Sequence, residues 1–507
     1  MPAPFSTAYD QIAYRTLPMP QTHPDRLATI ALLHGMEPRP IDRCHVLELG
    51  CGDGTNLIPM AYGLPGSEFI GIDLAGTAVA AGTAAISALG LRNIALRHLD
   101  VMDVTEGLGT FDYIIAPGIY SWVPEAVRDR ILAVCRAHLA PQGVAFMSYN
   151  TYPGCHLRQA VWQVLQFHVD GIADPGERIA QARTLARFIA DCPRRGGEDG
   201  AVLGNEMGAV LDHTAGLLFH DDLAPVNAPV YFYQFVAHAR RHGLQFLAEA
   251  NFYEMQEHAY PSEIAAQIQQ LAGGSVTRKE QYLDFLKNRR FRQTLLCREE
   301  VTLDRGLRPE TIRDIHLGSQ ARPVSERPDM ASPGVVEQFV GPRGSAMSTD
   351  YPLAKAAVFY LGQMWPRLVS FDELLRETRA RLGGGFGNHG VDASTLLDIL
   401  LVAYAAGVIE LSTHAPRFVL KAGPRPTASP VARLQLERGS FVATLRHTSV
   451  CIEDDLGSRL LLLMDGTRTA EMLLHEMHNH VSSPVEVTRV GLEQKIAEVA
   501  RLALLVA

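Results

Sequence analysis

Long apolar runs are missing from this 507-residue chain. Spanning a bilayer takes about 20 consecutive apolar residues, and no stretch offers them, so a membrane-embedded protein is excluded as the sequence reads. The start, Met1 to Met19, is polar and interrupted by Pro2, Pro4 and Pro18, without an apolar signal core. Paired cysteines are missing too. The seven Cys are odd in number, scattered, and contain no Cys-x-x-Cys, which argues against a disulfide frame or a zinc ribbon. Reduced thiols of this kind fit a cytoplasmic location. Nor is there an excess of basic charge: 46 Lys+Arg stand against 55 Asp+Glu, for a net charge of −9. Residues 1–150 carry −5 of this and the remainder −4, leaving no domain-scale footprint for nucleic acid or anionic lipid. Lysine itself is scarce, five of the 46 basic residues.

What is present is a globular composition, 47% hydrophobic and 20% charged, over a length that suits about three domains. In the first third, short apolar runs end at Cys44–Gly50, Glu68–Ile72, Asn93–Leu99, Phe111–Ala116 and Gly143–Tyr149. Between them, Val79–Leu89 and Ala126–Leu139 carry apolar residues at helical spacing. Strand and helix in regular alternation predict an α/β fold, a doubly wound and mostly parallel sheet with right-handed crossovers. Residues 1–155 form this core. Residues 156–317 read as a helical middle region, with Leu157–Val169, Glu177–Ala190 and Asn205–Phe219 as helices. A helix over Val230–His242 stops at Gly243 and leads into Leu244–Glu249; that run and Arg292–Arg298 read as strands returning to the first sheet. Residues 318–350, with Pro323, Pro328, Pro333 and Pro342, read as a linker with a short hairpin. Residues 351–423 give three helices and a hairpin, Val408–Ser412 with Arg417–Lys421, a winged-helix layout. Residues 424–507 repeat that α+β theme more loosely.

Chemistry concentrates at the end of the first strand. Glu48-Leu49-Gly50-Cys51-Gly52-Asp53-Gly54 sets three alternating glycines at a strand-to-helix turn, where the main chain can approach a ligand without an intervening Cβ. Asp73 ends the second strand and can accept both hydroxyls of a ribose. Dinucleotide enzymes share such an acid, but their turn is G-x-G-x-x-G and faces a pyrophosphate. Here Gly54 comes one residue early, and the acids Glu48 and Asp53 flank the loop. Negative charge there disfavours a pyrophosphate and suits a cationic ligand, a sulfonium with an α-amino group. The cofactor expected on these grounds is S-adenosylmethionine.

These residues carry a resemblance. With Gly71-Ile72-Asp73-Leu74, Phe111-Asp112-Tyr113-Ile114-Ile115 and His242-Gly243-Leu244-Gln245-Phe246-Leu247-Ala248-Glu249-Ala250, the chain resembles class I S-adenosylmethionine-dependent methyltransferases that carry a methyltransferase regulatory domain. Its last third is similar to the C-terminal region of bacterial protein-lysine methyltransferases acting on outer-membrane proteins. The resemblance implies that Asp73 binds the ribose and Asp100 the adenine amino group, with Val101 or Met102 beside the ring. It sets Glu48, Gly50, Cys51, Gly52, Gly54, Leu74 and Pro117 around the same cofactor. The stretch before the first strand reads either as a lid, with Tyr14, His23 and Arg26 near the methionine carboxylate, or as a helix start capped by Thr22 or Asp25.

For the methyl acceptor, the loop Pro117–Pro124 follows the fourth strand. Related sequences tend to have His where Pro117 stands, so a His base is not available there. Tyr120 and Trp122 offer a π-rich wall for a Lys stem, or pack under the loop. Asn150 offers an amide to an acceptor amine, or belongs to a turn. Methyl transfer from a sulfonium is an in-line displacement governed by alignment and exclusion of water, so no general base is assigned. No metal is expected: His475-Glu476-Met477-His478-Asn479-His480 lacks the His at i and i+4 of a zincin helix.

Transfer to lysine side chains of a protein acceptor is the function these features imply. A small-molecule methyltransferase and a cofactor-sensing winged-helix regulator stand as alternatives. Against the regulator, Asp392–Ala406 holds two acids and no Arg or Lys, a poor surface for phosphates. Protein docking or homodimerisation suits this region better, and removing residues 318–507 should spare cofactor binding.

Overall fold

The computed structural model describes residues 8–507 except 13, 15, 193–196, 258–259, 384–388 and 481–487. Five strands, β1 (His45–Leu49), β2 (Glu68–Asp73), β3 (Ile94–His98), β4 (Phe111–Ala116) and β5 (Leu139–Asn150), pair in parallel. Helices Gly76–Leu89 and Glu125–His138 are two of the crossovers between them. β1 and β4 are buried almost throughout, which is why they read as continuous apolar runs and not as alternating ones. Two later strands, β6 (Leu244–Glu249) and β7 (Phe291–Arg298), complete the sheet in the order β3-β2-β1-β4-β5-β7-β6. β7 runs antiparallel to both neighbours. The strands expected to return to the first sheet therefore do so, and the intervening helices are excursions from it.

The middle region packs helices Cys155–Val169, Pro175–Asp191 and Gly197–Leu211 around a small core of its own, including Val161, Leu165, Ala186 and Met207. The helix expected over Asn205–Phe219 ends early, at Leu211. Thr214 then caps a new turn by accepting the Leu217 amide at 3.2 Å, and a wider turn, Leu218–Asp222, follows.

Residues 318–350 hold the short hairpin expected there, Glu337–Val340 with Ala346–Thr349, but are otherwise more than a linker. Arg322–Pro323, Glu337–Val340 and Ala346–Thr349 form a three-stranded antiparallel sheet, and His316–Gly318 pairs with both Val369–Ser370 and Glu410–Ser412. Phe339 and Leu317 are fully buried there, so the prolines punctuate short strands rather than a loose tether. The hairpin expected from Val408–Ser412 and Arg417–Lys421 does not form, because Glu410–Ser412 takes His316–Gly318 as its partner instead.

Helices Pro352–Met364, Phe371–Arg381 and His389–Ala405 pack into the same continuous apolar core as the large sheet. Cutting at 318 would open that core. Residues 428–505 have a separate core around Leu460, Met464, Leu473 and Leu504. This last module contains a hairpin unmarked in the sequence, Phe441–Ala443 with Ser449–Cys451, whose turn carries His447 in the left-handed region at φ 55°.

One buried ion cluster joins β6 and β7 to the helix Val276–Lys287, which lies between them in sequence. Arg292 on β7 is fully buried and binds Asp284 with its Nε and Nη2, Glu280 with Nη2 and Glu249 with Nη1, the last at 2.6 Å. Its guanidinium lies over the Phe232 ring, 3.8 Å from the centroid.

Candidate active site

The turn after β1 has the glycine geometry its spacing implies. Gly50, Gly52 and Gly54 adopt φ of 72°, 54° and 74°, the left-handed region that other residues enter at a cost. At Gly50 a Cβ would stand 2.6 Å from Ile119 Cδ1, so the loop after β4 closes directly over the bare main chain. Asp73 fastens the turn from the tip of β2: its Oδ2 accepts the Gly52 amide and its Oδ1 the Ala75 amide, both at 2.7 Å. Cys51 is buried and packs against Gly71, where burial, then Glu48 and Asp73, push its thiol well up.

Glu48 is buried beneath the loop. Its Oε1 accepts from Asn56 Nδ2 at 2.9 Å, while Oε2 has no hydrogen-bond partner among the described residues. Burial pushes its carboxyl up to about 8. An orphaned buried oxygen beside a glycine cradle suits a ligand bearing an ammonium or sulfonium, which would supply the missing partner.

Asn56 is the hub of this shell, a role no motif marks in advance. Its Nδ2 donates to Glu48 and to Thr22 Oγ1. Its Oδ1 accepts the Met19 amide at 2.9 Å and, from 391 residues away, His447 Nε2 at 3.0 Å. The hairpin tip of the C-terminal module thus reaches the underside of the glycine turn. Burial, reinforced by His23, keeps His447 neutral and well below the ordinary histidine value.

The N-terminal arm lies along the other side. Thr16 Oγ1 donates to Asp53 Oδ1 at 3.0 Å. Further up the arm, Tyr9 stacks on His220 at 4.2 Å and Tyr14 meets it edge-on at 5.5 Å. Burial, then Asp221 and Asp73, raise the Tyr9 phenol to about 12. The described residues among 8–19 therefore form the arm beside the turn. His23 and Arg26, expected near the methionine carboxylate, are corrected: both line a separate cleft of about 1470 Å³ toward the C-terminal modules. His23 Nδ1 itself caps the following helix by accepting the Asp25 amide, the role expected of Thr22 or Asp25. Asp25 instead accepts from Ser412, Thr413 and His414.

Along the sheet edge, Asp100 accepts the Met102 amide at 2.9 Å and caps the turn Val101–Asp103. Leu74, after the tip of β2, and Met102, on the turn after β3, leave 41% and 44% of their surface exposed. Pro117 is half-buried at the tip of β4, and Gly118 donates to Ser148 Oγ at 2.7 Å.

Tyr120 is a further correction. It is buried under the loop, with its hydroxyl 2.7 Å from His238 Nδ1 and its ring packed on Tyr149 and Phe235, so it walls no acceptor channel. Trp122 is half-buried on the same loop. Asn150 is held by its backbone, its amide to Ser121 Oγ and its carbonyl to Val230, while its side chain has no hydrogen-bond partner among the described residues. Beyond Asn150, Tyr152, His156 and Tyr231 form an aromatic rim.

A seven-stranded sheet with one antiparallel strand, a glycine turn after β1 and an acid at the tip of β2 define a class I S-adenosylmethionine-dependent methyltransferase. Family models match along the chain: a methyltransferase domain at residues 47–145, a predicted methyltransferase regulatory domain at 214–298, and the PKMT C-terminal winged helix domain at 424–500. The uncharacterized protein RP789 of Rickettsia prowazekii is 31% identical over 480 residues, covering 93% of this chain and 86% of that protein. The structure of PKMT2 from Rickettsia typhi superposes with a TM-score of 0.85 at 25% identity, covering 97% of this chain and all of that one. The same protein in complex with AdoHcy matches equally well. The chain belongs to this family of methyltransferases with a regulatory domain and a PKMT-type winged helix. Among the described residues no helix is long and apolar enough to cross a membrane.

Proposed function

We propose that this protein transfers the methyl group of S-adenosylmethionine to lysine side chains of a protein acceptor. The observation that carries this reading is the likeness to PKMT2 along nearly the whole chain, winged helix included. The cofactor supplies an electrophilic methyl on its sulfonium. Asp73 grips the ribose diol, Asp100 receives the adenine amino group beside Val101 and Met102, and Glu48 lies under the cationic end. Trp122 and Asn150 face the acceptor, with Asn150 Oδ1 holding the amine for in-line attack. An attacking amine must be neutral, and exclusion of water when the acceptor docks against the aromatic rim would favour that form.

The hairpin of the C-terminal module is spent on Asn56, with His447 buried at its tip. A wing used in this way is withdrawn from any nucleic-acid groove, which argues against the regulator reading. The scarcity of lysine argues against self-methylation as the main activity, and Lys355 is buried with its Nζ donating to the Ser332 and Val335 carbonyls.

Incubating the full chain with methyl-labelled cofactor and a cell lysate tests the proposal. Label is expected on lysine Nζ in the protein fraction, and is expected to vanish if acceptor lysines are first acetylated, which ties the nitrogen lone pair into an amide. Asn150→Ala should lower turnover about tenfold, the worth of one hydrogen bond to the acceptor, at unchanged cofactor affinity. Label confined to small molecules would overturn the lysine assignment.

A further inference from the structure

Away from the cofactor turn, three side chains from two helices converge on one point. His238 and His242 stand four residues apart at the end of the helix Phe232–Arg241, which sets both rings on one face. Asp129, from the helix Glu125–His138, meets them: its Oδ1 lies 3.2 Å from His238 Nε2 and 2.9 Å from His242 Nε2. The three ligand atoms all fall within 4.8 Å of one another. We propose that Asp129, His238 and His242 bind one zinc-type divalent cation, and that Tyr120 ties this site to the loop after β4.

The donor set argues for the kind of metal. Two imidazole nitrogens and one carboxylate oxygen suit zinc, cobalt, nickel or copper, whereas magnesium and calcium prefer all-oxygen shells. Zinc bonds to such donors are about 2.0–2.2 Å long, so neighbouring ligand atoms in a tetrahedron stand about 3.3–3.5 Å apart. The two separations from Asp129, 3.2 and 2.9 Å, need to open by only a few tenths of an ångström. Asp129 can supply that movement, since its side chain is 59% exposed, and the same opening admits water as a fourth ligand. The neighbouring charges are Arg241 beside His238 and, behind Tyr120, Arg128 and Glu125. With cations close by, the site requires a metal that bonds strongly to imidazole, not a hard cation held by charge alone.

The shell behind the ligands is already built. Tyr120 Oη lies 2.7 Å from His238 Nδ1, the second-nitrogen contact that fixes ring and tautomer in histidine metal sites. Tyr120 sits between Ile119, which covers Gly50, and Ser121, which accepts the Asn150 amide. A bound ion would clamp the core helix to the regulatory segment and steady the loop that closes over the glycine turn. The sequence expectation of no metal came from spacing within one helix; this trio spans 109 residues or more between Asp129 and its partners, and only the fold assembles it.

The test uses the full chain, free of any polyhistidine tag and stripped with chelator, titrated with Zn²⁺ by calorimetry and with Co²⁺ by visible absorption. One equivalent is expected to bind, with the absorption of low-coordinate cobalt. His242→Ala should weaken binding at least tenfold while cofactor affinity stays within twofold of wild type. Asp129→Asn, which keeps the side chain's size and can still hydrogen-bond, should do the same and serves if His242→Ala does not fold. Tyr120→Phe should weaken binding roughly 10–100-fold, the usual effect of losing such a partner. No saturable binding, or equal affinity in wild type and both ligand variants, would overturn the site. Unchanged metal affinity in Tyr120→Phe would overturn the link to the loop.

Discussion

Asp73→Ala is expected to lower S-adenosylmethionine affinity by about 3–6 kcal/mol, a loss of roughly 10²–10⁴-fold. The substitution removes two things at once. It takes away the charged acceptor proposed for the ribose hydroxyls, and it releases the Gly52 and Ala75 amides that hold the glycine turn in shape. A carboxylate has about four acceptor positions, so one group can fasten the loop and grip a diol together. Asp73 sits half-buried at a strand tip, outside the apolar core, and the fold should survive its loss. Calorimetric titration with a thermal melt alongside separates the two effects. In the same titration His447→Ala should cost less, about 1–2 kcal/mol, because it removes only one of the donors to Asn56 Oδ1. Wild-type affinity in Asp73→Ala would refute the ribose assignment.

Arg292→Ala should destabilise the protein by about 3–5 kcal/mol, the penalty for leaving buried charges without their partner. Glu249, Glu280 and Asp284 all converge on this guanidinium, and water has no access to replace it. Burial already holds Glu280 and Asp284 above the ordinary carboxylate range, against the pull of Arg292. Without the arginine they rise further. Carboxyls whose folded-state values lie above their unfolded ones favour folding at low pH, and that contribution is lost as pH climbs through the folded values. The defect should therefore be smaller near pH 5 than near pH 8, as measured by urea unfolding. A defect independent of pH would mean that lost packing on Phe232, not unpaired charge, is the cause.

The parallel half of the sheet was legible because its strands are short, mostly apolar runs separated by segments of helical spacing, with a glycine turn after β1 and an acid at the tip of β2. The returning strands were legible from Gly243 and the short apolar runs on either side of the helical excursion. What escaped was assembled by tertiary contact. Asn56 looks like any helix-start residue until Glu48, Thr22, Met19 and His447 surround it, and nothing in the sequence links position 447 to position 56. The strand at 410–412 was expected but paired with the wrong segment, and its true partner at 316–318 was missed, because that partner is three residues long and far away in sequence. Tyr120 shows the limit at the site itself. Its place after β4 suggested an acceptor wall, but an aromatic ring at a loop start faces either cleft or core, and His238, Tyr149 and Phe235 draw it inward. His23 fails in the same way, because a ring that caps a helix and packs near His447 cannot also reach across the glycine turn.

A crystal structure of this chain with S-adenosylhomocysteine tests the central geometry most directly. The ribose hydroxyls should lie within hydrogen-bond distance of Asp73, the adenine between Leu74 and Met102 with its amino group toward Asp100, and the amino-acid end over Gly50–Gly54 above Glu48. Ligand density in the cleft beside His23 and Arg26, or a ribose turned away from Asp73, would contradict the account.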